Sequence, residues 1–157
     1  MSRPRILLAD DHVLLAQALQ HLLQRDFDVV GTVSDGRALL KAAEELSPDV
    51  VVVDIGMPLL NGLDAGEQLK ASHPQMKVIY LTQNREPRFA IEAFRRHASG
   101  YLLKDSAASE LTTAIRDALR GKTYVSPIIE KGMSDELDPT PVDQVALRAL
   151  SAREREV

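Results

Sequence analysis

The chain has 157 residues, 45% hydrophobic and 27% charged, the balance of a globular domain rather than a disordered chain. That length holds one domain with a full core and an extension, not two complete modules. A net charge of −4 and 4% aromatics with no Trp argue against nucleic-acid binding by this chain, and the lack of Cys removes disulfides, thiolate metal sites and cysteine nucleophiles.

Arg3 and Arg5 precede an apolar run, Ile6 to Ala9, that stops at Asp10, short of the roughly 7–15 residues of a signal-peptide core. No run approaches the ~18 apolar residues of a membrane span. A cytoplasmic location without a membrane partner is expected.

Five runs rich in aliphatic and β-branched residues predict strands at Arg5 to Ala9, Asp28 to Val33, Val50 to Val53, Val78 to Leu81 and Gly100 to Leu103. The third is a continuous valine run, the pattern of a strand covered on both faces. Between the first two, Leu15, Ala18, Leu19, Leu22 and Leu23 share one helical face. Leu39, Leu40, Ala43 and Leu46 do so in the next segment. Pro87 suits the first turn of a helix carrying Ala90, Ile91, Ala93 and Phe94. Leu111, Ala114, Ile115, Ala118 and Leu119 form a stripe after the fifth strand, and Gly121 supplies a left-handed stop. Such alternation predicts an α/β fold, a doubly wound parallel sheet with helices on both faces.

Beyond Gly121 the texture changes. Pro127, Gly132, Pro139 and Pro141, with Asp135, Glu136 and Asp138, read as a connector over 122–150, with helical spacing from Val142 to Leu150. Ser151 to Glu154 has the form of a capping box opening another helix close to Val157. The expectation is a truncated second module over 151–157.

In an open parallel sheet, function gathers at the carboxyl ends of the strands. Asp10 and Asp11 close the first strand, Asp54 the third, Thr82 the fourth and Lys104 the fifth. Carboxylates held together repel, and a hard divalent ion such as Mg²⁺ relieves the conflict while leaving positions for phosphate oxygens. A lysine can pair with the transferring anion and a threonine hydroxyl can donate to it. The set points to an aspartate that accepts a phosphoryl group.

These residues, with Asp54-Ile55-Gly56-Met57-Pro58, Asn61-Gly62 and Gly100-Tyr101-Leu102-Leu103-Lys104-Asp105, resemble the receiver domain of two-component response regulators over about residues 5 to 120. The Gly100 to Asp105 string and Tyr124-Val125-Ser126-Pro127 resemble the NarL/FixJ subfamily, and Leu150 to Val157 is similar to the opening of its LuxR-type helix-turn-helix. The resemblance implies a flavodoxin-like, five-stranded sheet of order 2-1-3-4-5, a receiver over 1–121, and transcriptional control through a DNA-binding domain that this chain only begins. It implies a regulatory phosphoacceptor rather than an enzyme. Asp54 is the implied phosphoacceptor. Asp11 and Asp54 would hold Mg²⁺, with the Gly56 carbonyl and with Asp10 acting through water. Thr82 and Lys104 would bind the phosphoryl group, and Thr82 and Tyr101 would form the switch, the ring moving inward. The implied partners are a sensor histidine kinase, a second copy of the chain on activation, and DNA through the following domain alone.

The sequence departs from the subfamily in three places. Gln83 stands where relatives carry a small residue, which makes it a candidate access gate. Arg96-His97-Ala98 replaces Ala-Gly-Ala, asking His97 to take a left-handed conformation. Gly56 leaves no side chain two positions after Asp54. Two alternatives stay open: a phosphorylation-independent interaction module, and a haloacid-dehalogenase-like phosphohydrolase. The second needs an acid two positions after its nucleophile, whereas His12 follows Asp10 and Gly56 follows Asp54 at that spacing. His12, His21, His73 and His97 show no ligand spacing and read as surface or cap residues, and Arg85, Arg88, Arg95 and Arg96 as a solvated basic face.

Overall fold

In the computed structural model, which describes residues 3–57 and 60–136, the valine run forms β3 (Val50–Asp54), buried at every position. It pairs in parallel with β1 (Arg5–Ala9) and β4 (Lys77–Thr82). Outside them lie β2 (Asp28–Val33) and β5 (Gly100–Leu103), also parallel. The five expected strands are all present, in the expected order.

Helices cover both faces. On one, α1 (Val13–Leu23) and α5 (Ala107–Leu119) bury Leu19, Leu23, Leu111 and Ile115 against Ile6, Leu8, Val50, Val52, Ile79, Leu81 and Leu102. On the other, α2 (Gly36–Leu46), α3 (Gly62–Ser72) and α4 (Pro87–Arg95) pack Leu39, Ala65 and Ala90 with Leu7, Val51, Val53, Val78, Tyr80 and Tyr101. Each fully buried Leu or Ile stabilises this arrangement by about 1.5–3 kcal/mol relative to exposure.

The α1 stripe differs from expectation by one residue. Ala16, Leu19 and Leu23 face the sheet, while Ala18 is exposed and Leu14 is 83% exposed. Leucines crowd this helix, so two overlapping stripes about 100° apart compete, and packing against the sheet selects one.

Helix ends follow local chemistry. The Asp35 side chain accepts from the Ala38 N–H (2.8 Å) and caps α2. Pro87 opens α4 as expected. His97, just past α4, has φ 67°, the left-handed conformation its place after Arg96 demanded, at a cost of about 1–2 kcal/mol for a residue with a Cβ. Gly121 (φ 80°) stops the chain after α5. A 3₁₀ turn, Lys104–Ser106, joins β5 to α5 and sets Lys104 at the strand end.

The segment read as a connector does not begin as one. Tyr124–Val125 forms β6, parallel to β5, which extends the sheet to β2-β1-β3-β4-β5-β6 among the described residues. Pro127–Glu136 forms α6, burying Ile129 and Met133 completely. A Cβ on Gly132 would stand 2.7 Å from Pro87 Cγ, so α6 lies close against the start of α4. The Ser126 hydroxyl accepts from the buried Leu103 N–H (3.0 Å), fixing the turn between the new elements. The expected helix over 142–150 and the module opening at 151–157 lie outside the described residues. No described helix is long and apolar enough to cross a membrane.

Candidate functional site

The parallel register brings the carboxyl ends of β1, β3 and β5 to one rim, and the rim is charged. Asp10 follows β1, its N–H donating to Val33 O (3.0 Å) and so continuing the ladder. Asp54 ends β3. The chain then turns tightly: the Gly56 N–H donates to Asp54 Oδ1 (3.0 Å) and the Gly62 N–H to Ile55 O (3.0 Å). A Cβ on Gly62 would lie 2.3 Å from the Asp54 carbonyl oxygen, so the start of α3 touches the backbone of Asp54 and only glycine fits. Asn61 caps that helix by accepting from the Asp64 N–H (2.9 Å).

Lys104 organises the rim. Its buried ammonium donates to Asp54 Oδ2 (2.8 Å), to Asp10 Oδ1 (3.3 Å) and to His12 Nδ1 (2.6 Å). One cation thus serves buried Asp10 and Asp54, with Asp11 at the edge. Burial pushes the Asp54 carboxyl up, but the hydrogen bonds from Lys104 and Gly56, the contact with Asp11 and the Lys104 charge outweigh it and hold the group below the ordinary carboxylate range. Competition with Asp54 for hydrogen bonding, then burial, then the Asp54 charge raises Asp11. The two share a titration in which Asp11 takes the first proton.

The rim fits a hard divalent cation. Oxygens of Asp10, Asp11 and Asp54 and the Nδ1 of His12 all lie within 4.8 Å of one another, and the buried Asp10 Oδ2 has no hydrogen-bond partner. An unpartnered carboxylate oxygen at that depth is costly unless a cation or water meets it.

The remaining expected residues fall on both sides of the rim. Thr82 is buried at the end of β4, and its hydroxyl accepts from the Asn84 N–H (3.0 Å). Tyr101 is fully buried, so the ring expected to move inward is already inside. Its hydroxyl has no partner within hydrogen-bonding geometry; burial pushes the phenol up, and the Thr82 side chain beside it offsets this in part. Gln83 is exposed. Gly56 is exposed, and a Cβ there would stand 3.7 Å from Asp54 Oδ1, in ordinary contact.

His12 is the residue sequence reading missed. It does stand at the N-cap of α1, but its side chain makes no capping bond and turns to the carboxylates instead. The available signal was adjacency: the residue after an acidic pair at a strand end shares its loop. The basic face is more paired than expected. Arg96 bonds Asp64 (3.0 Å) and Glu92 (3.0 Å), and Arg88 pairs with Glu86 (2.7 Å).

The model of the response regulator receiver domain matches residues 6–116. The response regulator GacA of Pseudomonas viridiflava is 35% identical over 156 residues, spanning 98% of this chain and 72% of that protein. A LuxR-family two-component response regulator from Aurantimonas sp. SI85-9A1 superposes with a TM-score of 0.81 at 31% identity, over 86% of this chain and 98% of its own. The receiver domain of the response regulator NarL from Mycobacterium tuberculosis gives a TM-score of 0.73 at 28% identity, over 78% and 100%. Opposite Asp54 stands the Gly56 N–H where a phosphohydrolase would need a second acid, and the rim is that of a regulatory phosphoacceptor. The chain belongs to the response regulator receiver family, on its NarL/FixJ–LuxR branch.

Proposed function

We propose that Asp54 accepts a phosphoryl group from a phosphohistidine of a sensor kinase, and that its phosphorylation state governs self-association and a DNA-binding module following this chain. The observation that carries the reading is the buried ammonium of Lys104, bonded to Asp54 Oδ2 at 2.8 Å and to Asp10 Oδ1 at 3.3 Å. The Asp54 oxygen already faces the cation that would pair with an incoming phosphoryl group.

Asp11 and Asp54 would hold Mg²⁺ through their side chains, Gly56 through its carbonyl and Asp10 through water. Bound there, the ion supplies charge neutralisation between the acceptor and the phosphoryl oxygens. Thr82 donates its hydroxyl to the phosphoryl group once it leaves the Asn84 N–H. With Tyr101 already inside, the switch reduces to a reorientation of Thr82 beside a ring that keeps its place. Phosphorylation adds about −1.5 to −2 charge beside Lys104, enough to bias such a two-state element.

Incubation with Mg²⁺ and acetyl phosphate, followed by intact-mass analysis, tests the assignment. The parent should gain the mass of one phosphoryl group in a hydroxylamine-labile form, and Asp54→Asn should gain nothing. An unchanged parent, or an adduct that persists in Asp54→Asn, overturns it.

A further inference from the structure

We propose that His12 is a metal ligand of this rim and shifts its preference from Mg²⁺ toward divalent ions that accept nitrogen, such as Ni²⁺ and Zn²⁺. The proposal rests on the reading of the rim as a divalent-cation site and adds a donor of a different kind to it.

The Lys104 ammonium donates to Asp54 Oδ2 and Asp10 Oδ1 and has a third N–H, and its Nζ stands 2.6 Å from His12 Nδ1. Two N–H groups cannot face each other at that separation. His12 Nδ1 is therefore the acceptor, bare of hydrogen, and the ring proton sits on Nε2. That bare nitrogen lies 3.2 Å from Asp10 Oδ1, 3.4 Å from Asp11 Oδ1 and 3.7 Å from Asp54 Oδ2. The Lys104 ammonium is thus the cation now shared by His12 Nδ1, Asp10 and Asp54, and a divalent ion entering the rim meets the same acceptors with Asp11 added.

The distances suit such an ion. Ligands on opposite sides of a cation with bonds of 2.0–2.2 Å lie about 4 Å apart, and neighbouring ones about 3 Å. All four donor atoms fall within 4.8 Å of one another, so a sub-ångström contraction closes the set. The ring is free to make it: its side chain is 53% exposed and has no capping duty. Its backbone is held, because the His12 N–H donates to Asp10 Oδ1 at 2.8 Å.

Donor chemistry decides the preference. Mg²⁺ favours oxygen and keeps its waters, whereas imidazole suits the later first-row ions and zinc. A three-oxygen site binds all of these; one nitrogen tilts it. Nδ1 has a single lone pair, so the ion and Lys104 compete for it, and occupancy by a nitrogen-accepting metal leaves the ammonium to Asp54 and Asp10.

Calorimetric titration of the metal-free chain with MgCl₂, NiCl₂ and ZnCl₂, in the parent, His12→Phe and Asp11→Ala, tests this. Loss of the ring should weaken Ni²⁺ and Zn²⁺ by at least the factor that removing an outer-shell partner costs, about 10- to 100-fold. Mg²⁺ affinity should stay within about threefold. Nitrogen NMR on the zinc-loaded parent should show the His12 Nδ1 signal shifted by metal, which separates this ring from His21, His73 and His97. Equal weakening of all three ions in His12→Phe, unchanged Ni²⁺ and Zn²⁺ binding, or an unshifted Nδ1 would overturn the proposal. If Mg²⁺ fails to bind the parent, or binds equally well in Asp11→Ala, the cation site itself falls. If Mg²⁺ binding needs Asp11 but the metal preference survives His12→Phe, only the role of His12 falls.

Discussion

The two faces of the sheet do different work at the same rim. Residues two apart on a strand share a face. Asp54 therefore continues the row of Val50 and Val52 on the side of α1 and α5, and Asp10 and Lys104, just past the ends of β1 and β5, join it through the Lys104 ammonium. Thr82 and Tyr101 instead belong with Val78, Tyr80, Val51 and Val53, on the side of α3 and α4. Charge collects on one face and the hydroxyl pair on the other, with only the ends of β4 and β5 between. The α1/α5 core is almost wholly aliphatic, while the opposite one contains two fully buried tyrosines. If Asp54 gains charge as proposed, the polar side chains left to rearrange are those of Thr82 and Tyr101, on the opposite face.

Lys104→Met breaks this division most severely. It leaves Asp10 and Asp54, whose side chains are 0% and 5% exposed, without their shared cation. Removing one partner of a buried ion pair costs about 3–5 kcal/mol, and the urea midpoint in divalent-free buffer should fall accordingly. Added Mg²⁺ should recover part of the loss, because an ion that binds the folded form alone stabilises it. A change under about 1 kcal/mol would show that water already compensates the rim.

Two adjacent residues sharpen the contrast next. Leu102 faces the aliphatic side and is fully buried, so Leu102→Ala should lower stability by about 2–5 kcal/mol through lost contact and a cavity. Tyr101, its neighbour on the other face, is as deeply buried, yet its hydroxyl has no partner to lose. Tyr101→Phe should change stability by less than about 1 kcal/mol. Denaturant curves on both variants settle it; equal losses would mean that the hydroxyl is bonded in solution and that the two faces are alike.

The rim was legible in the sequence because each of Asp10, Asp54, Thr82 and Lys104 closes a strand, and parallel register alone brings strand ends together. His12 was not, because no other histidine stands at ligand spacing from it and its partners are the acids beside it in the loop. α3 left only a thin stripe to read: it packs through Gly62, Ala65, Gly66 and a single large buried residue, Leu69, and a Cβ on Gly66 would run into the Tyr80 hydroxyl. β6 and α6 were hidden by their own punctuation. Pro127 and Gly132 suggest a connector, yet Pro127 opens α6 as Pro87 opens α4, and Gly132 is small because Pro87 lies against it. Local breakers and close-packing residues are the same residue types, and only tertiary contact tells them apart.

The smallest effect concerns acid. Asp54 is held below the ordinary carboxylate range, so its charge contributes stability above that range, and the contribution is lost as pH falls through the folded-state value. Asp11 is raised, so it has the opposite sign: the folded chain takes up its proton first, and stability is gained as pH falls toward the ordinary value. Asp54→Asn removes both, since the neighbouring Asp54 is the leading cause of the shift at Asp11. The stability difference between parent and variant in divalent-free buffer should therefore be flat near neutrality. It should rise slightly as pH approaches the carboxylate range and decline below it, a shallow maximum rather than a step. Urea midpoints measured every half unit would resolve the shape. A difference that only grows with acid would mean that Asp54 is not the charge the Lys104 side of the sheet is built to hold, and the separation of the two faces would lose its electrostatic half.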